Sequence, residues 1–190
     1  MCSAAFHAVA PLPTLVETKL GPVEYVSTGD GPAIIALHGG MGGWDQSLLL
    51  AQSAIADSGF RILAVSRPGY FGTPLRSGRS PEAQADLCAA LLDALGIAGA
   101  AVIAVSAGGP CALQFALRHK QRCWGVITVS ACTGHLDTPP KVARTLAIMR
   151  LMVRIPFVAS TMERRAARDP LDGARSSIAD AELRAHAGAS

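Results

Sequence analysis

The chain has 190 residues, half of them hydrophobic and 16% charged, which excludes a disordered chain and allows one domain with a sizeable core. Its formal net charge of +3 is too small to favour nucleic acid as a partner. Five cysteines without a C-x-x-C pair argue against a disulfide framework or a zinc site and favour a reducing compartment.

The N-terminal segment and the apolar runs bear on where the protein works. The segment MCSAAFHAVAPLP lacks a basic stretch followed by a sustained apolar core, so we predict no secretory signal. No uncharged apolar run approaches the length that crosses a bilayer. We therefore expect a cytoplasmic protein with no membrane span.

Strand and helix patterns alternate along most of the chain. The segments TLVETKL and PVEYVSTG, separated by Gly21-Pro22, alternate apolar and polar residues and predict a hairpin. From residue 33 to residue 131, apolar runs that fit doubly buried strands alternate with helical patterns. The predicted strands are AIIAL, RILAV, AAVIAV and WGVITVSA; the predicted helices are Asp45 to Ser58, Pro81 to about Leu95 with Ser80 as N-cap, and AGGPCALQFALRHK.

This alternation predicts an α/β fold with a predominantly parallel, doubly wound sheet. We expect AAVIAV centrally in the sheet, with AIIAL beside it. Beyond Pro139-Pro140 the segment KVARTLAIMRLMVRIPF predicts an apolar helix with interspersed cations, whose apolar face favours covering a pocket over lying on a membrane surface. We therefore divide the chain into a core of residues 1–138 and a helical remainder of residues 139–190.

The stretch AVSAG places a hydroxyl, that of Ser106, where a buried strand meets a helix. A sharp turn can lift this hydroxyl above the sheet only if the residues two before and two after are small, and these are Ala104 and Gly108. The helix that follows presents free backbone N–H groups, so the N–H of Ala107 can stabilise an oxyanion that forms beside the serine. The pattern predicts a nucleophilic serine; the alternative is an ordinary helix N-cap.

The loop HGGMGG follows the AIIAL strand and begins at His38. It does not complete the dinucleotide pattern G-x-G-x-x-G, whose last glycine would fall on Asp45, and it lacks the lysine of a phosphate-binding loop. A second oxyanion donor, the N–H of Gly40, fits better; the alternative is a glycine turn that serves packing alone. His38 precedes the loop, which favours a structural role over that of a base.

These motifs, in this order and together with SRPGYFGTP, resemble the N-terminal part of an α/β-hydrolase over about residues 14 to 135. The resemblance implies that Ser106 is the nucleophile, that Gly40 and Ala107 supply the oxyanion N–H groups, and that SRPGYFGTP borders the active site. It implies a small-molecule acyl substrate and no metal or other cofactor. The residues from 139 to about 165 resemble the start of a helical cap.

The chain departs from the family at its C-terminal end. The family places an acidic residue after a later strand and a histidine after the last one, and no position here matches either, so we expect a C-terminally truncated hydrolase. His135 and Asp137, on the loop after WGVITVSA, are the nearest candidates for base and acid, but two residues of one short segment rarely serve both roles. The other histidines are His7, His119 and His186.

Two functions follow as hypotheses. The first is a serine hydrolase that cleaves an ester or related acyl bond of a small, fairly apolar substrate, weakly if no histidine reaches Ser106. The second is a truncated, non-catalytic α/β-hydrolase-like binding protein. In either case the last strand would have an unpaired apolar edge, which predicts a homo-oligomer formed through that edge.

Overall fold

The computed structural model describes residues 12–55, 58–133, 140, 143–145 and 147–148. The chain divides into two compact units, residues 1–135 and residues 136–190. The predicted boundary after residue 138 lies outside the described residues. The strands are β1 (Thr14–Thr18), β2 (Gly21–Thr28), β3 (Ala33–Leu37), β4 (Arg61–Val65), β5 (Ala100–Val105) and β6 (Cys123–Val129); the helices are α1 (Trp44–Ile55), α2 (Pro81–Ala94) and α3 (Gly109–Arg118).

The described strands form one six-stranded sheet in the order β1-β2-β4-β3-β5-β6. The four strands β3 to β6 are parallel, since β3 pairs with β4 and with β5, and β5 pairs with β6. The first two are antiparallel additions at the other edge. The predicted α/β fold and its mostly parallel sheet are confirmed. As predicted, AIIAL (β3) lies beside AAVIAV (β5). The strand β5 is interior but not central, because only β6 lies beyond it in the described part of the sheet.

The hairpin turn lies at Lys19 and Leu20, before the predicted turn at Gly21-Pro22. Lys19 and Leu20 form the turn, and Gly21 with Pro22 already belongs to β2, where Gly21 pairs with Thr18. Gly21 has a φ of +116°, and a Cβ there would lie 2.7 Å from the hydroxyl of Ser77. The lack of a side chain at Gly21 therefore allows Ser77 to pack closely against β2, and Gly21 does not form the turn itself.

The core lies on both faces of the sheet. On one face β-strand side chains pack with α2 and α3, a layer that includes Ile35, Leu91 and Phe115. On the other face they pack with α1, a layer that includes Ile34 and Ile103. Every residue of β3 is buried, as expected for a strand covered on two sides.

The helix ends follow the local sequence. Ser80 accepts a hydrogen bond from the N–H of Ala83 as the N-cap of α2, Pro81 is the first helical residue, and Gly96 ends the element with a φ of +65°. The first helix ends at Ile55, short of the predicted Ser58; residues 56 and 57 lie outside the described residues.

Candidate active site

Three loops meet at the carboxyl edge of the parallel strands. They follow β3, β4 and β5, so the HGGMGG loop, the SRPGYFGTP loop and Ser106 lie side by side. The carboxyl edge of such a sheet is the usual place for a ligand site. Ser106 and Ala107 are partly exposed there, and Gly40 is exposed.

Ser106 has the backbone conformation that its motif predicted. Its φ is +50°, in the left-handed region that side chains other than glycine rarely adopt. It opens a single 3₁₀ turn, Ser106–Gly108, that leads directly into α3. Strain of this kind is typical of a functional residue that the surrounding structure holds in place.

The small residue two positions after the serine is required by packing. A Cβ on Gly108 would lie 2.7 Å from the carbonyl oxygen of His38 and 2.8 Å from that of Leu37. The first turn of α3 therefore lies directly against the end of β3. On the other side of the turn, Ala104 is fully buried.

The peptide that joins Ser106 to Ala107 is held by its carbonyl group. The Ser106 oxygen accepts hydrogen bonds from the N–H of Gly109 and, at 3.0 Å, from the N–H of Cys132. Because a trans peptide points its N–H opposite its carbonyl, the N–H of Ala107 points away from both donors. It belongs to the start of a helix, where N–H groups are available to a ligand.

The Gly39–Gly40 peptide is held in the same way. The Gly39 oxygen accepts hydrogen bonds from Nη2 of Arg67 at 2.5 Å and from Nδ1 of His38 at 2.9 Å, so the N–H of Gly40 points away from these groups. Gly39 lies next to the side chain of Ser106, since a Cβ on Gly39 would be 3.4 Å from the Ser106 Cβ and 3.9 Å from its Oγ. The loop is thus adjacent to Ser106, and the assignment of the Gly40 and Ala107 N–H groups as oxyanion donors stays a prediction.

His38 is part of the scaffold. Its ring is completely buried, Nε2 accepts a hydrogen bond from the N–H of Arg67 at 3.0 Å, and Nδ1 donates to Gly39. Burial, assisted by the nearby Arg67 cation, lowers its pKa to about 4. With both nitrogens engaged and the ring neutral, His38 cannot serve as the base, in agreement with its predicted structural role.

Comparison with known proteins assigns the chain to a family. The sequence profile of the alpha/beta hydrolase fold matches residues 32–164, which include the three loops. The chain belongs to the α/β hydrolase fold family.

Three known proteins are examples of what this chain is similar to. An alpha/beta hydrolase fold protein from Nakamurella multipartita is 38% identical, with a TM-score of 0.63 over 76% of this chain and 53% of that protein. The uncharacterized hydrolase YcgS of Bacillus subtilis is 35% identical over 119 residues, 63% of this chain and 41% of the relative. A 2-hydroxy-6-oxononadienedioate/2-hydroxy-6-oxononatrienedioate hydrolase of Burkholderia vietnamiensis is 32% identical over 118 residues, 59% of this chain and 41% of the relative. The chain spans less than half the length of these two curated relatives.

The second described histidine of the chain is also engaged elsewhere. His119 follows the last residue of α3, and its Nε2 lies 2.9 Å from Oδ1 of Asp86. Since α3 begins beside Ser106 and a helix rises about 1.5 Å per residue, His119 is roughly 15 Å or more from the serine. The candidates His135 and Asp137, like His7 and His186, lie outside the described residues.

Among the described residues we find no candidate metal cluster and no helix that could cross a membrane. Within residues 12–55 and 58–133 no three His, Cys, Asp or Glu side chains come together in a way that could hold a metal ion. None of the helices in this part has the length and hydropathy needed to cross a bilayer.

Two features of the site were not predicted from the sequence. Arg67 is buried with 7% of its surface exposed and donates from Nη1 to the carbonyl oxygen of Ala107 at 3.1 Å, in addition to its bond with Gly39. The hydroxyl of Tyr70 donates to the carbonyl oxygen of Gly40 at 2.7 Å. In the sequence, the RPGY motif after β4 indicated that this loop borders the site, but it did not indicate the hydrogen bonds that Arg67 and Tyr70 form.

Proposed function

We propose that this chain is the nucleophile-bearing part of a serine hydrolase that cleaves an ester or related acyl bond. The observation that supports the proposal most strongly is Ser106 itself, a partly exposed serine at φ +50° at the start of a helix and against the Gly39–Gly40 loop. An ordinary N-cap serine has extended backbone and has no need of this strain.

The chemistry follows from the groups on each side of the hydroxyl. Oγ of Ser106 adds to the acyl carbon while its proton passes to a base, and the carbonyl oxygen becomes an oxyanion. The N–H groups of Gly40 and Ala107 donate hydrogen bonds to that oxyanion and stabilise its charge. Collapse breaks the bond to the leaving group, which takes the proton, and water then hydrolyses the acyl-serine and restores the hydroxyl.

The surroundings favour a small, fairly apolar substrate. Met41 follows Gly40 on the first loop and is 79% exposed, and Phe71 on the second loop is 63% exposed. The two loops touch, because a Cβ on Gly43 would meet the Phe71 ring at 2.4 Å. Exposed apolar side chains on the loops that border the candidate nucleophile could provide contacts for an acyl chain.

The test is hydrolysis of p-nitrophenyl acetate and butyrate by the purified chain. We expect release of p-nitrophenol that is lost in Ser106→Ala, with butyrate the better substrate. His135→Ala and His186→Ala test the two candidate bases, since loss of an acting base should lower kcat by orders of magnitude, and an unchanged kcat in both variants would show that neither histidine reaches Ser106. Equal rates for the parent and Ser106→Ala would contradict the proposal.

A second candidate is a non-catalytic binding protein on the same scaffold. It is favoured by the two described histidines, because His38 is buried and neutral and His119 is held at the far end of α3. In that case the parent and Ser106→Ala would hydrolyse esters equally slowly while both still bind a small apolar ester or acid.

A further inference from the structure

Arg67 is a buried cation whose partners are mainly backbone carbonyl groups. It donates to the oxygens of Gly39 and Ala107 and, at 3.4 Å, to the side-chain amide oxygen of Gln84. Among the described residues no carboxylate forms an ion pair with it, and its Nε is buried without a hydrogen-bond partner. Burying a guanidinium is costly, so this arrangement calls for a role beyond filling space.

The carbonyls that Arg67 binds belong to the two loops that flank the serine. Gly39 is on the loop after β3 and Ala107 is on the turn after β5, so one planar side chain links the two. Several donors in a rigid fork fix both carbonyls at once. No other described side chain donates to both loops.

The peptide groups before and after Gly40 are both held by hydrogen bonds to side chains. The carbonyl that precedes its N–H is bound by Arg67, and its own carbonyl accepts from the Tyr70 hydroxyl. Tyr70 is in turn placed by an edge-on contact with His38, with ring centroids 4.6 Å apart, and by the Arg67 guanidinium 5.4 Å from its ring. The two peptides on either side of Gly40 therefore have little freedom to rotate.

We propose that Arg67 and Tyr70 are positioning residues that orient the Gly40 N–H, and Arg67 also the Ala107 turn, toward the oxyanion formed at Ser106. The catalytic part of this inference rests on the proposed function. The Arg67 charge has a second effect, because a cation bound to the Gly39 oxygen polarises the peptide and makes the Gly40 N–H a stronger donor. Neither side chain needs to touch the substrate.

The first test measures backbone position and needs no activity. Two-dimensional ¹H–¹⁵N spectra of the full chain are recorded for the parent, Arg67→Lys, Arg67→Gln and Tyr70→Phe, with Arg76→Gln on the same loop as the matched control, since Arg76 is exposed. We expect the Gly40 amide signal to shift or broaden in the Arg67 and Tyr70 variants and to stay in place in the control. An unchanged Gly40 signal in Tyr70→Phe and Arg67→Lys would overturn the proposal.

The second test separates positioning from general stability through the kinetic constants for p-nitrophenyl butyrate. We expect kcat to fall on the order of tenfold or more in Arg67→Gln, with KM changed little, because a displaced oxyanion donor acts on the transition state. Arg67→Lys should recover only part of the loss, since it keeps the charge but not the fork. A rise in KM with kcat unchanged would contradict the role.

Failure of the two proposals can be told apart. If the parent turns over no faster than Ser106→Ala, the proposed function is contradicted, and the amide signals still decide whether Arg67 and Tyr70 fix Gly40. If turnover depends on Ser106 but Arg67→Lys and Tyr70→Phe keep the parent kcat and the parent Gly40 signal, the positioning role alone is wrong. Tyr70→Phe removes one partly exposed hydroxyl, so it decides the question even if Arg67→Gln does not fold.

Discussion

At the scale of single residues, the site depends on one strained serine and on the small residues around it. A non-glycine residue at positive φ costs on the order of 1 kcal/mol or more, and the fold holds Ser106 there at φ +50°. The strain is possible because Gly108 lets α3 start in contact with the end of β3. The motif is therefore a packing requirement as well as a chemical one.

Gly108→Ala should destabilise the chain by about 1–3 kcal/mol, because its Cβ would press on the carbonyl oxygens of Leu37 and His38. Gly40→Ala is the matched control, since a Cβ there meets nothing within 4 Å and the expected change is within about 0.5 kcal/mol. Urea unfolding of both variants measures the difference. Equal stabilities would show that the turn can relax without cost.

His38 predicts how stability depends on pH. Its pKa of about 4 in the folded chain lies below the ordinary value of 6.5, so the unfolded chain binds the proton more readily between these values. The contribution of neutral His38 to the free energy of unfolding is therefore fully present above about pH 6.5 and is lost as the pH falls toward 4. Between pH 7 and pH 5 this loss amounts to about 2 kcal/mol. Urea unfolding at these two values checks this, and His38→Gln should remove most of the difference; an unchanged difference would contradict the assignment.

The sequence predicts residues whose role depends on near neighbours along the chain. Ser106 and its small flanking residues could be identified because the turn they form is local. The contacts of Arg67 could not, since its acceptors Gly39 and Ala107 are 28 and 40 positions away and are backbone atoms of other loops. Nor could the partner of His119, which is an aspartate on a different helix.

At the scale of elements, apolar patterning predicted every parallel strand, and cap residues predicted α2 closely. The hairpin turn lies two residues earlier than predicted, at Lys19 and Leu20. Gly21 is instead needed because the chain at this position packs closely against Ser77, a contact that only the tertiary structure reveals. Arg122, directly before β6, binds the carbonyl oxygen of Ala89 in α2 and those of Ile97 and Ala98 in the connection from α2 to β5. This cation holds the end of the helix and the connection that leads into β5.

Arg122→Ala should lower the free energy of unfolding by about 2–4 kcal/mol, because it removes the hydrogen bonds to three carbonyl groups and one of the two cations bound to Asp93. Lys19→Ala removes the other cation bound to Asp93, but that pair is exposed, with the Lys19 side chain 68% accessible, so the expected loss is below about 1 kcal/mol. Chemical denaturation of the two variants compares them. A loss in Lys19→Ala as large as that in Arg122→Ala would contradict this ranking.

At the scale of the whole molecule, β6 is one edge of the described sheet and exposes several apolar side chains. Trp124, Ile127 and Val129 on this strand are 52%, 44% and 40% exposed, although Trp124 stacks on Phe60. A strand with free backbone groups and exposed apolar side chains favours pairing with another chain. The sequence could predict this edge, since no further buried strand pattern follows WGVITVSA.

We therefore expect the chain to associate through β6. Light scattering should give a mass that rises with concentration, and Ile127→Lys should reduce the association, because a charge on an edge strand disfavours pairing. Leu49→Lys, on α1 and 62% exposed, is the control and should leave the mass unchanged. A monomer at all concentrations, or an equal effect of both substitutions, would contradict the prediction.

The central claim is that Ser106 is the nucleophile, and covalent labelling tests it most directly. The full chain is incubated with a fluorophosphonate, and the adduct is located by mass spectrometry of its peptides. We expect phosphonylation at Ser106 and none in Ser106→Ala; the labelling is slow if no histidine reaches Ser106, and a rate that falls in His135→Ala or His186→Ala identifies that residue as the base. Absence of an adduct at Ser106 after prolonged incubation, or the same labelling in Ser106→Ala, would contradict the claim.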